Sequence, residues 1–184
     1  MKKINQIIED HKKALCKFEK KSDILAEASL TIVSALKNGK KILLCGNGGS
    51  AADCQHFAAE LTGRFQKERK GLAALALTTD TSAITSISND YSFEDVFSRQ
   101  VEALGREGDV LIAFSTSGNS KNILKAAAKA KEINMKVFSL TGAGGKISSY
   151  SDICLSFDEK VTARIQEMHS LAVHILCELI EDSF

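Results

Sequence analysis

Lys41 to Arg64 reads KILLCGNGGSAADCQHFAAELTGR, and the fold follows from it. A short apolar run (Ile42, Leu43, Leu44, Cys45) breaks on Gly46, Gly48 and Gly49, and a helical pattern resumes at Ser50. Strand, tight loop and helix in that order are the first half of a βαβ unit. The glycines let backbone approach a ligand closely, and Ser50 is placed to cap a helix whose free N–H groups favour an anion. His56 and Glu60 are four residues apart on that helix and share a face. A sugar oxygen, a phosphate or a metal could sit between the loop and the helix.

Outward from this unit the alternation repeats. Leu72 to Leu77 reads as a strand, Ser82 to Ser88 as a short helix, Ser92 to Leu104 as a longer helix and Val110 to Phe114 as a strand. The motif STSGNS (Ser115 to Ser120) then leads into a helix over Ile123 to Lys131. Lys136 to Leu140 is a strand ending in TGAGG, Ile153 to Phe157 is a fifth strand, and Val161 to Ile180 is a long closing helix. Near-continuous apolar strands separated by helices predict an α/β fold with a five-stranded parallel sheet covered on both faces. In the common order 2-1-3-4-5 the switch point lies between the first and third strands, which brings Gly46–Ser50 beside Ser115–Ser120. Upstream, helices over 4–20 and Ser22 to Leu36 precede the sheet, the second stopped by Asn38-Gly39. They are expected to pack on the last helix or on another subunit.

The chain has 184 residues, 44% hydrophobic and 26% charged, which suits one domain over 1–184: N-terminal helices to 38, then the α/β core and C-terminal helix over 39–184. A net charge of +1 argues against a protein that grips nucleic acid by counterion release. Cys16, Cys45, Cys54, Cys154 and Cys177 form no CxxC pair and lie in segments that read as buried, as expected of reduced thiols. No stretch reaches the ~18 apolar residues of a membrane span and the N-terminus has no apolar signal region, so a cytoplasmic location without membrane partners is expected.

STSGNS offers the hydroxyls of Ser115, Thr116, Ser117 and Ser120 at a helix start, a neutral donor set suited to phosphate, and equally an ordinary Ser-rich turn. GNGGSA also fits the dinucleotide pattern GxGxxA. Its acidic partner would be Asp80, some thirty residues on rather than the usual ~20. His56 and Glu60 alone are an ordinary surface pair. Gln166, Ser170 and His174, however, recur every four residues and draw a polar strip along an otherwise apolar last helix, which needs partners or a ligand. His11 and His169 have no comparable second residue and read as structural.

Taken together, CGNGGSAADCQHFAAELTGRF, SNDYSFEDVFSRQVEALGREGDV, STSGNSKN and ARIQEMHSLAVHIL resemble the phosphoheptose isomerase family of the sugar isomerase (SIS) fold. The resemblance implies a homotetramer that converts sedoheptulose 7-phosphate to D-glycero-D-manno-heptose 7-phosphate, with Zn²⁺ and no nucleotide cofactor. It implies that Ser115, Thr116, Ser117 and Ser120 hold the phosphate, and that Asn47, Gly48, Gly49, Asn89 and Asp90 line the sugar with Glu60 and Gln166. His56, Glu60, Gln166 and His174 match the family's zinc set, and Glu60 and His174 its acid–base pair. Two departures stand out: Lys70 where the family commonly has proline, and Ala163 where some members carry Asp. The alternative is a SIS-fold binding protein of the kind that associates with the replication initiator. Such proteins look altered at the positions of Glu60 and His174, both of which are present here.

Overall fold

The computed structural model describes all 184 residues. Helices α1 (Lys2–Phe18) and α2 (Ser22–Lys37) precede β1 (Ile42–Cys45), α3 (Gly49–Thr62), β2 (Ala74–Ala76), α4 (Thr81–Asp90) and α5 (Val96–Leu104). The chain continues through β3 (Val110–Phe114), α6 (Lys121–Glu132), β4 (Lys136–Leu140), β5 (Ile153–Leu155) and α7 (Thr162–Glu181). The five strands are parallel in the order β2-β1-β3-β4-β5, as the pattern predicts.

Successive strand residues point to opposite faces, so each apolar run feeds two cores. Ile42, Leu44, Val110, Ile112 and Phe114 join α1, α2, α3 and α7 on one face. Leu43, Cys45, Leu111, Ala113 and Val137 join α5 and α6 on the other. The two N-terminal helices therefore lie against α7, one of the two positions expected of them.

Several boundaries differ from the sequence reading for local reasons. The helix expected from Ser92 starts at Val96, because Ser92 Oγ accepts from Glu94 N–H at 3.1 Å and bonds Asp95 Oδ2 at 2.8 Å, closing a 3-10 turn over Phe93–Asp95. The edge strands β2 and β5 are shorter than their apolar runs, since each has a neighbour on one side only. Beyond β5, Phe157 N–H turns away to Gly142 O at 2.9 Å. Ser50 does not cap α3: Gly48 holds the cap position, and Ser50 is buried in the first turn. All five cysteines are free, but Cys16 is exposed and Cys154 only half-buried, against the expectation that all are core thiols. No helix is long and apolar enough to cross a membrane.

Candidate active site

Helices α3 and α7 run side by side in the same direction, and their seam carries a ladder of polar pairs. At its upper end Gln166 packs so closely on Gly49 that a Cβ there would lie 2.5 Å from Gln166 Nε2, so any larger residue would displace the Gln166 side chain. One turn on, Ser170 Oγ donates to Asp53 Oδ1 at 2.8 Å. Burial pushes the Asp53 carboxyl above its usual range, opposed by that hydroxyl and by His56. Further down, His56 Nε2 lies 3.0 Å from Glu60 Oε1 and 3.4 Å from His174 Nε2, the two imidazoles edge to face.

This lower cluster contains three of the four residues expected to hold zinc. Tetrahedral zinc with bonds of ~2.0–2.1 Å has ligand–ligand edges of ~3.3 Å. Both contacts made by His56 are close to that length. The three donors do not yet close around a common point in the single chain. The His56 and Glu60 side chains are 42% and 24% exposed, so rotation about their χ angles can close the set. The donor chemistry, two imidazoles and a carboxylate, fits Zn²⁺. Gln166 lies two helical turns from His174, about 12 Å along the axis at ~1.5 Å per residue. No hydrogen bond joins it to the other three, and its nearest neighbour is the glycine loop.

What holds the cluster in place includes residues not picked out from the sequence. Arg69 donates to Glu60 O at 2.7 Å and Leu61 O at 2.9 Å, satisfying the last carbonyls of α3, and faces Glu181 Oε1 at 3.3 Å. Both side chains of that pair are almost wholly buried, at 5% and 3% exposure, so neither charge can lose its partner cheaply. The Glu181 carboxylate also accepts from the N–H groups of Phe65, Gln66 and Lys67. This pins the loop after α3 and stacks Phe65 on the His174 ring at 5.9 Å between centroids. Lys70 sits in the same loop with its carbonyl accepting from Arg69 at 3.2 Å. The only sequence signal for the pair is a carboxylate closing an apolar helix pattern.

The hydroxyl loop stands at the carboxyl end of β3, beside the glycine loop of β1, where the strand order places it. Ser115 is buried and donates to Ser120 Oγ at 3.2 Å. The N–H groups of Thr116, Ser117 and Ser120 make no backbone hydrogen bond and are free to donate. Asn47 and Asn122 exchange amide hydrogen bonds at 2.9 and 2.8 Å, which ties the glycine loop to the start of α6. Asn122 was not picked out from the sequence, because an Asn in a helix's first turn carries no signal of a distant partner.

The TGAGG loop after β4 braces the hydroxyl loop. Gly142 N–H donates to Thr116 O at 3.1 Å and Ile147 N–H to Gly118 O at 3.0 Å. At Gly118, with φ +65°, a Cβ would lie 1.9 Å from Gly144 O. No other residue fits that position.

The remaining expected positions lie elsewhere. Asn89 donates to Asp90 Oδ1 at 2.8 Å at the end of α4, and no hydrogen bond links either to the glycine loop. Asp80 caps α4 by accepting from Ala83 N–H at 2.9 Å, which gives it a structural role in place of the ribose contact a dinucleotide site needs. Ala163 is exposed in the first turn of α7. His11 bonds Glu167 Oε2 at 2.7 Å. His169 is fully buried, edge-on to Phe114 and Phe157, with no well-formed hydrogen bond at either ring nitrogen.

The SIS domain family profile matches residues 6–142. Over 176 residues the sequence is 57% identical to a phosphoheptose isomerase of Helicobacter pylori (strain P12), covering 95% of this chain and 92% of that one. The chain belongs to the phosphoheptose isomerase family. A Campylobacter jejuni phosphoheptose isomerase (serotype O:6) is 55% identical over 177 residues, 96% of this chain and 95% of the relative. The solved structure of the phosphoheptose isomerase from Neisseria gonorrhoeae superposes with a TM-score of 0.94 at 47% identity, covering 98% of both chains. At this identity the shared name extends beyond fold to activity, and the isomerase rather than the binding protein is the class to which the site belongs.

Proposed function

We propose that this enzyme interconverts sedoheptulose 7-phosphate and D-glycero-D-manno-heptose 7-phosphate, the first step toward activated heptose for bacterial surface polysaccharide. The observation that carries the reading is the pairing, on one chain, of a free-donor hydroxyl loop with the carboxylate–imidazole cluster of Glu60, His56 and His174. The loop's unpaired N–H groups and hydroxyls suit a phosphate, and the cluster suits proton transfer at the other end of the substrate.

In the ketose-to-aldose direction, Glu60 takes a proton from C1 while His174 donates to the C2 oxygen, giving an enediol. Return of a proton to C2 and loss of one from the C1 hydroxyl then give the aldose. Atoms and charge balance without a redox partner. Asp53, held by Ser170 and facing His56, fixes the orientation of the seam. His56, Glu60 and His174 would hold Zn²⁺, with Gln166 as a fourth ligand only if its side chain leaves Gly49. When bound, the metal supplies Lewis-acid polarisation of the substrate oxygens. A lone pair engaged by metal would not be free to carry a proton, so Glu60 and His174 would serve as base and acid only through an oxygen and a ring nitrogen not bound to the metal.

The tetramer expected from the resemblance is supported by apolar surface the single chain leaves open. Ile4, Ile7 and Ile8 are 45–60% exposed on α1, and an apolar groove of about 460 Å³ lies between Leu15, Phe18, Leu25, Leu171, Ile175 and Leu179. Helix packing between copies would cover both. Sedimentation at micromolar concentration should give about four chains per particle, and a monomer would remove this part of the proposal. For the activity, the deciding test is isomerisation of sedoheptulose 7-phosphate by the purified protein with zinc supplied.

A further inference from the structure

Thr116, Ser117 and Asn119 of the hydroxyl loop form one wall of a cavity of about 430 Å³. Ala143, Gly144 and Gly145 form a second wall, and Glu159, Lys160, Thr162 and Ile165 of the segment leading into α7 close it. The loop itself offers no cation. Lys121, next to it in sequence, is held by Glu94 at 2.8 Å. Lys160 is the one basic residue lining the cavity, and no carboxylate pairs with it.

Its neighbour Glu159 does not neutralise it. Glu159 Oε1 accepts from the backbone N–H groups of Lys160 at 2.7 Å and Val161 at 2.9 Å, and its Oε2 faces Lys17 Nζ at 3.4 Å. The Glu159 carboxylate is thus occupied by two backbone N–H groups and Lys17, and Lys160 lines the same cavity as Ser117 with no carboxylate partner of its own. A phosphate monoester carries about −1.5 to −2 at neutral pH. Neutral hydroxyls and N–H groups can orient it but do not balance it, whereas a lysine serves as a movable point charge for phosphate.

We propose that Lys160 is a further substrate-binding residue, which reaches across this cavity to the phosphate group held by Thr116 and Ser117. The proposal rests on the isomerase reading for the identity of the phosphate ester, but not for the presence of an anion site. It predicts a role in binding with none in proton transfer, since Lys160 is remote in the fold from Glu60 and His174.

Two measurements on wild type, Lys160→Ala and Lys160→Arg separate these claims: inorganic phosphate binding by calorimetry, and steady-state kinetics on sedoheptulose 7-phosphate. Lys160 is exposed, so both variants should fold. Loss of one charge-assisted contact should weaken phosphate binding and raise KM by about tenfold in Lys160→Ala, with kcat within about twofold of wild type and much of the loss restored in Lys160→Arg. The wild-type KM should also rise with ionic strength more steeply than that of Lys160→Ala. Unchanged phosphate affinity in Lys160→Ala overturns the proposal, and if wild type turns over, leaves the isomerase reading standing. Weakened phosphate binding in a protein that does not isomerise the sugar supports the anion contact and overturns the reading of the substrate. A fall in kcat with KM and phosphate affinity unchanged also overturns the proposal, because it places Lys160 in the chemistry.

Discussion

The two ends of the site are built differently. The hydroxyl loop is fixed by backbone: Gly142 and Ile147 N–H groups bond it and Gly118 interlocks with Gly144, while the Asn47–Asn122 side-chain pair beside it ties the glycine loop to the start of α6. The lower seam of α3 and α7 depends on side chains, and its His56, Glu60 and His174 groups are partly exposed and linked by two contacts around one imidazole. Binding of a chemically constant phosphate can be left to a rigid cradle. Proton transfer and metal binding need donor atoms placed to well under an ångström, and here the partly exposed side chains must still rotate to close the set, over a buried support of Arg69 and Glu181.

The largest effects should fall on the seam. Glu60→Gln and His174→Asn should each lower kcat by roughly 10² to 10⁴-fold, with KM, thermal transition and oligomer size little changed. Kinetics beside a melting curve check this, and equal losses of stability and turnover would erase the contrast between chemistry and scaffold. Elemental analysis should next find about one zinc per chain in wild type, on the coordination chemistry of an N/O donor set. His56→Ala should lower both zinc content and kcat by about tenfold or more. Full activity in metal-free protein would restrict the seam to acid–base work.

The rigid end should respond to acid. Burial pushes the His169 imidazole down to about 4, only partly opposed by the Thr141 backbone. In the unfolded chain it titrates near ~6.5, so as pH falls below that value the unfolded state takes up the proton first. His169 is therefore neutral and harmless above pH ~6.5 and costs stability progressively down to about pH 4, up to about 3 kcal/mol on full burial. Denaturant titrations across that window should show the slope in wild type and its loss in His169→Leu, while the kcat of both proteins at pH 8 agrees within a few-fold. The smallest effect expected is that of Ser117→Ala, one hydroxyl among several donors. KM should rise by a few-fold to about tenfold with kcat nearly unchanged. A collapse of kcat at constant KM would mean that the loop takes part in the chemistry.

Much of this was legible in the sequence, for physical reasons. Parallel strands buried on both faces leave uninterrupted apolar runs, so β1, β3 and β4 could be read directly, and the common doubly wound order supplied their arrangement. The hydroxyl loop announced itself because serine and glycine cluster where backbone must serve a ligand. The pairing of His56 and Glu60 follows from helical spacing; the polar strip on α7 marked His174 as needing a partner, and its grouping with those two came from the family resemblance. Contacts across long separations left no such trace. Asn122, Asp53, Arg69 and Glu181 find their partners through the packing of elements, and a single charged residue at the end of an apolar helix looks like any solvated terminus. Ser50 shows the opposite failure: it has the chemistry of a cap, but Gly48 takes the position because the helix begins two residues earlier.

The most direct test is isomerisation of sedoheptulose 7-phosphate in deuterium oxide by the zinc-supplied protein, followed by NMR of the sugar. We expect wild type to form the aldose with solvent deuterium at C2, and Glu60→Gln to bind the sugar phosphate without forming product. No turnover by wild type, or turnover by Glu60→Gln at the wild-type rate, would contradict the assignment of Glu60 as the base of an enediol isomerase.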